Sequence, residues 1–213
     1  QGTNAIAIGS AAGGSTQGSA AIAIGLEAGE NTQGGSAIAI GVSAGNQSQG
    51  LAAIAIGASF SATQGAPAFT AQGQFGIAIG VAAGASTQNS GAVAIGYQAG
   101  NISQGANAVA IGTTAATTSQ GLYSVAIGFQ SGTLNQSQTS VALGYFTGYQ
   151  SQGASTVAIG AQAGQTNQGQ SAVAIGPTAG ATGQGLFAVA VGLNAGNSAQ
   201  AQQAVSIGNS AGA

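Results

Sequence analysis

The reading of the fold turns on one phrase, Ala92-Val93-Ala94-Ile95-Gly96, followed by Tyr97-Gln98-Ala99-Gly100. Close variants occur thirteen times, with the central glycine at Gly9, Gly25, Gly41, Gly57, Gly80, Gly96, Gly112, Gly128, Gly144, Gly160, Gly176, Gly192 and Gly208. Successive glycines lie 16 residues apart, except Gly57 and Gly80, which lie 23 apart, one period plus seven. A fixed short period marks a repeat architecture, in which length counts stacked units. The 213 residues are therefore read as one solenoid domain spanning 1–213.

We number the repeat from its central glycine as zero. Position −3 is Ile or Val in every copy, position −2 is Ala except for Ser206, and position −1 is Ile except for Leu143 and Val191. Position −4 is Ala, Ser, Thr or Gly. This period-two alternation of β-branched with small residues predicts a short strand. Both of its faces are apolar, so both are expected to be buried. The expected core is the branched ladder, represented by Ile6, Ile8, Val93, Ile95, Val125, Ile127, Val173 and Ile175, all pointing inward. The methyl-sized Ala face is expected to meet a neighbouring chain. A helix is excluded because each run ends in Gly after four residues and a second Gly usually follows four further on, at a cost near ~1 kcal/mol per helical glycine. Collagen is excluded because glycine is not at every third position.

Ala is usual at +3 and Gly at +4, while +5 to +7 are variable and mostly polar. Gln then stands at +8 in every complete copy: Gln17, Gln33, Gln49, Gln72, Gln88, Gln104, Gln120, Gln136, Gln152, Gln168, Gln184 and Gln200. A unit of 16 residues is too short for strand–helix–strand and suits one coil of a parallel β-solenoid. With coils about 4.8 Å apart, thirteen of them predict a rod of roughly 60 Å. In such a stack each position sits above its own copy. The Gln column is then expected to form an amide ladder, each side chain donating to one neighbour and accepting from the other.

The seven extra residues predict a bulge over 58–71, between strands that keep their phase. It is read as a tolerated surface insertion, with a binding or glycan-bearing loop as the alternative. Most aromatic residues keep to two columns, Tyr97, Phe129 and Tyr145 at +1, and Phe75, Tyr123 and Phe187 at −5. Confinement to columns predicts a second buried stripe or a contact between subunits. A contiguous apolar stripe on so thin a coil predicts a homo-oligomer.

Composition narrows the function classes. Lys, Arg, His, Cys, Met, Trp and Asp are all missing, and Glu27 and Glu30 are the only charged side chains. Without Lys or Arg, neither nucleic-acid binding by counterion release nor a polybasic membrane patch is expected. No apolar run reaches the ~18 residues of a spanning helix, so membrane insertion is not expected. Catalysis needs groups that titrate or attack, and no hydroxyl here has a His or Lys as its base. Glu27 and Glu30 fall at +2 and +5 of one polar turn and are read as solvated. Gly183-x-Gly185-x-x-Ala188 superficially matches a dinucleotide fingerprint, but it is repeat punctuation with no ribose-binding acid after it. The chain is read as non-enzymatic, with no cofactor and no metal.

Ser124-Val125-Ala126-Ile127-Gly128, Ser140-Val141-Ala142-Leu143-Gly144 and Ala172-Val173-Ala174-Ile175-Gly176 resemble the core motif of YadA-like heads in trimeric autotransporter adhesins. The resemblance covers essentially the whole chain. It implies a left-handed parallel β-roll with Val and Ile inward and three rolls wound into a trimer. Similar arrays occur in fibre proteins of phages and large DNA viruses.

Three sequons, Asn46-Gln47-Ser48, Asn101-Ile102-Ser103 and Asn135-Gln136-Ser137, start in the variable turn and make Asn46, Asn101 and Asn135 candidate glycosylation sites. The phases of Gln1 and Ala213 predict either copies stacking end to end into a filament or a longer parent chain. The sequence thus predicts an all-β protein, a parallel β-solenoid of 13 coils, homotrimeric. Its expected role is a rigid fibre segment at a cell surface, virion surface or other extracellular site, with itself and glycans as partners. The alternative is an adhesin or receptor-binding head.

Overall fold

The computed structural model describes residues 1–58 and 71–212. The predicted bulge at 58–71 lies almost wholly outside the described residues. The protein is an all-β parallel solenoid, and no helix is present among the described residues. The chain divides into two compact units, Gln1–Asn107 and Ala108–Ala213. Together they contain about 12 turns of roughly 16 residues.

Every copy of the phrase forms a three-residue strand. In the first unit these are Ile6–Ile8, Ile22–Ile24, Ile38–Ile40, Ile54–Ile56, Ile77–Ile79 and Val93–Ile95. In the second they are Val109–Ile111, Val125–Ile127, Val141–Leu143, Val157–Ile159, Val173–Ile175, Val189–Val191 and Val205–Ile207. Within each unit neighbours pair in parallel and in register, as in Ile22↔Ile38 and Val125↔Val141. Ile54 pairs with Ile77 and Gln49 with Gln72, so the extra residues leave the phase of the coils around them intact.

The second wall of each coil is the short segment that ends in Gln, such as Thr16–Gln17, Thr32–Gln33 and Ser48–Gln49 in the first unit, and Leu134–Gln136, Gln150–Gln152 and Thr166–Gln168 in the second. The corners between the walls bring in residues with left-handed backbone. Gln98 at +2 has φ 52° and Tyr123 at −5 has φ 58°. Such a conformation costs about 1–2 kcal/mol for a residue with a Cβ. Inter-coil hydrogen bonds offset it. Gln98 N–H donates to the Val81 carbonyl at 2.9 Å and Ser36 N–H to the Ser19 carbonyl at 2.8 Å, each on the coil before. The backbone is therefore bonded between coils at the corners as well as along the walls.

The central glycine is required by space as well as by conformation. Gly25 has φ +130°, and a Cβ there would lie 2.5 Å from the carbonyl oxygen of Gly41 on the next coil.

The interior reverses the predicted assignment of faces. The −2 alanines point inward: Ala94, Ala126 and Ala174 are fully buried. The branched residues point outward. Ile6, Ile8 and Ile175 are exposed, and Val93, Ile95, Val125, Ile127 and Val173 are only half-buried. The inward columns are −4, −2, +3 and +8. Ala23, Ala28, Ala39, Ala44 and Ala55 form one cluster of the first unit, and Ala163, Ala174, Ala179, Ala190 and Ala195 one of the second. The physical reason is thickness. The walls stand so close that methyl groups and one amide fill the gap, leaving no volume for Val or Ile at interior packing density.

The two kinds of Gln-bearing wall differ at +7. Thr16, Thr32 and Ser48 are extended strand residues there, and Thr32 N–H donates to the Gln47 carbonyl of the following coil at 3.0 Å. Ser103, Ser119, Asn135, Ser151, Asn167 and Ala199 are left-handed at the same position, with φ from 45° to 57°. In this class the +7 N–H turns to the coil before, as in Gly183 to Thr166 at 2.9 Å and Ala199 to Thr182 at 2.8 Å. Thr is found at +7 only in coils of the extended class, and β-branched residues resist left-handed backbone. Asn167→Thr should therefore lower the unfolding free energy by about 1–2 kcal/mol, measured by denaturant melts, whereas Asn167→Gly should not lower it.

Candidate functional site

All twelve Gln side chains at +8 are buried, none more than 6% exposed. Each Nε2 crosses the interior and donates to the carbonyl of the residue at −3 on the opposite wall of its own coil, at distances from 2.6 Å for Gln49 to Ile38 to 3.1 Å for Gln152 to Val141. Gln72 reaches Ile54 at 2.7 Å, the equivalent partner although it is 18 residues away instead of 11. In most coils Nε2 also bonds the −4 carbonyl that follows, as Gln33 does to Ala37 at 3.3 Å. The amide is thus a strut between the walls.

The predicted Gln-to-Gln ladder is present only in pairs. Nε2 of Gln88, Gln120, Gln152 and Gln184 donates to Oε1 of Gln104, Gln136, Gln168 and Gln200, at 3.1–3.3 Å. Oε1 of Gln17, Gln33, Gln49, Gln72, Gln88, Gln120, Gln152 and Gln184 has no hydrogen-bond partner. Oε1 of Gln17, Gln33, Gln49, Gln88, Gln152 and Gln184 packs against the +4 glycine, whereas the residue four before Gln120 is Ala116. A Cβ on Gly13, where φ is +57°, would lie 2.7 Å from Oε1 of Gln17. Gly is therefore favoured four residues before Gln, because the amide oxygen lies where a side chain would start, although Ala116 is accommodated there before Gln120.

Where an inward position carries a hydroxyl, it bonds the backbone or, at Ser206, accepts from Gln200 Nε2 at 3.2 Å. Ser124 Oγ donates to the Gly121 carbonyl at 2.7 Å, Ser131 Oγ to the Ala142 carbonyl at 2.7 Å, and Thr147 Oγ1 to the Gly160 carbonyl. These substitutions for Ala are tolerated because each buried donor finds an acceptor.

Turning Val and Ile outward builds a surface that sequence reasoning placed inside. The −3 and −1 columns form parallel rows of β-branched residues along the strand wall of each unit. They are bordered by exposed Leu26, Val42 and Tyr97 at +1 in the first unit, and by Phe129, Tyr145 and Leu193 at +1 in the second. On the other border, Leu122 and Tyr123 or Leu186 and Phe187 stand exposed at −6 and −5. The Gln-bearing wall instead shows Ser, Thr, Asn and Gln to the outside at most +6 and +7 positions. Each unit is therefore amphipathic, with one broad apolar face and one polar face. Positions −2 and −4 hold only Ala, Ser, Thr and Gly, and −3 and −1 only Ile, Val and Leu, a contrast of size that separates two faces without saying which is inside. A column without room cannot vary in size.

Aromatic side chains gather at one corner of the second unit. Phe129 and Tyr145 stack with centroids 5.6 Å apart and planes at 14°. Phe146 lies 4.6 Å from Tyr145, edge to face, and 5.4 Å from Tyr149.

The remaining candidates separate by accessibility. Glu30 accepts from Asn46 Nδ2 at 2.9 Å and Glu27 from Ser43 Oγ at 3.1 Å, so both acids sit in a polar turn of inter-coil bonds. Asn46 is 8% exposed, and the half-buried Asn101 donates Nδ2 to the Ala82 carbonyl at 3.1 Å. Asn135 is exposed. Gly183, Gly185 and Ala188 lie along one coil; Gly183 is left-handed and Ala188 is buried in the −4 column. Comparison with protein-family models and with curated proteins finds no match.

Two outcomes test the strut and the thin interior. Gln152→Leu strands the Val141 carbonyl and Gln168 Oε1 without their donor and should cost about 1–3 kcal/mol. In Gln152→Glu the carboxylate would face those acceptors and lose its solvation, so its folded pKa should rise above the unfolded value. That variant should approach wild-type stability at low pH and lose it as pH rises through the folded pKa, visible in melts at several pH values. Ala126→Val overfills the gap and should cost about 1–3 kcal/mol in the same measurement.

Proposed function

We propose that the chain is a non-enzymatic structural protein, a rigid fibre or filament segment at an extracellular or virion surface, built from copies that associate through the outward Ile/Val face. The observation that carries this reading is the continuity of that face. Exposed apolar area normally comes in small patches on a free monomer, and larger contiguous patches mark association sites. Here the rows repeat at every coil of a unit, bordered by further Leu, Tyr and Phe. A second copy offers a matching surface, with the same row spacing and no charge to desolvate. Interdigitation of flat β-branched rows is a strong mode of sheet packing. Three copies is the number implied by the resemblance to trimeric adhesin heads. The paucity of titratable groups supports a role in shape over chemistry.

A recognition role is the second reading, favoured by the aromatic corner in which exposed Phe129 and Tyr145 stack beside half-buried Phe146 and Tyr149. It predicts that Tyr145→Ala abolishes binding to a cell or glycan surface while leaving assembly intact.

The assembly reading is tested at Ile127. With the side chain outward, Ile127→Asp should fold with the circular dichroism of the wild type and elute as a monomer, while the wild type elutes as an oligomer in light-scattering chromatography. A monomeric wild type at micromolar concentration, or a mutant that keeps the wild-type mass, overturns it. A mutant that does not fold would place Ile127 inside.

A further inference from the structure

The three sequons are equivalent in sequence and unequal in the fold. Asn46 has its amide buried and committed, Nδ2 donating to Glu30 Oε2 at 2.9 Å and to the Glu27 carbonyl at 3.3 Å. Asn101 spends Nδ2 on the Ala82 carbonyl at 3.1 Å and is half-buried. Asn135 stands at +7 with φ 57° and is exposed. No hydrogen bond from its side chain is present among the described residues. Its neighbour Gln136 is 2% exposed and anchored by Nε2 to the Val125 carbonyl at 2.9 Å. That strut holds the middle residue of the sequon inward, between the exposed Asn135 and the half-buried Ser137.

We propose that Asn135 is an N-glycan acceptor and that Asn46 and Asn101 are not acceptors in the folded protein. The substrate class is a sugar activated as a diphosphate, carried by a lipid or a nucleotide, and a transferase of the host supplies the catalysis. Nδ2 of Asn135 forms a bond to the anomeric carbon as the bond from that carbon to the diphosphate oxygen breaks. The diphosphate leaves with the electron pair, and one amide proton passes to the transferase. A left-handed +7 residue suits this step, because its own N–H turns back toward the preceding coil and its side chain is free of the wall. The glycan would leave from the polar Gln-bearing wall, opposite the Ile/Val strand wall, so it would hydrate a surface that lacks charge without covering the apolar rows. At Asn46 or Asn101 the same bond would displace an inter-coil hydrogen bond.

The inference stands on the coil geometry and not on the fibre reading, and the oligomeric mass of the same sample tests that reading separately. The full chain is secreted from a eukaryotic host, and the folded fraction is mapped by mass spectrometry after elastase digestion, since the chain offers trypsin no Lys or Arg. The expected result is one N-glycan, on Asn135. Asn135→Gln and Ser137→Ala should each remove it, and Ser137→Ala should leave the melting temperature of the unglycosylated chain unchanged. Secreted, folded protein with bare Asn135 overturns the proposal, as does a glycan on Asn46 or Asn101 or one that survives either substitution.

Discussion

The hydrogen bond from the Gln amide at +8 to the carbonyl at −3 sets the geometry on which the rest of the coil depends. It joins the two walls across a gap about one side chain wide, with a donor–acceptor distance that varies little from Gln49 to Gln152. A buried amide costs free energy unless it is bonded, so the strut holds only while the gap matches the reach of Gln. That distance then dictates the other inward columns. Ala at −2 and +3 and Ala, Ser, Thr or Gly at −4 are the residues small enough to flank an amide. Gly at +4 gives its Cβ space to the amide oxygen.

Two consequences run outward from this. The large apolar residues have no place inside and become the outer face of the strand wall, where stacking on their own copies leaves most of them half-buried. The wetted side is the Gln-bearing wall, polar through hydroxyls and amides instead of charges. In the second unit the apolar rows face one way and the exposed Asn135 the other.

Stability is local and repeated. Each coil bonds to the next at both walls and both corners, so left-handed residues at +2, −5 and, in many coils, +7 are held by backbone bonds between coils. The change at +7 between Thr32 and Asn167 shows that the same coil accommodates two peptide orientations, and Ser is found in both, at Ser48 and at Ser103. In a stack of near-identical units, such choices are made coil by coil because each contacts chiefly its neighbours.

The repeat, the strand, the parallel in-register stacking and the coil length were legible because they depend on spacing alone: 16 residues between glycines admits one strand–turn–strand circuit and little else. Gln at +8 was legible as a special column for the same reason. The direction of the faces was not. Alternation of Ile with Ala defines two faces of a strand but carries no sign, and resolving it needs the distance between walls, a tertiary quantity. The same holds for the sequons. Their pattern is local, but whether Asn46, Asn101 or Asn135 keeps its amide free is decided by carbonyls and carboxylates brought alongside from adjacent coils. The sequence by itself determined what repeats and how often; the tertiary structure decided which side of each repeat is inside, because only the closed coil measures the gap that an amide fills and a valine does not.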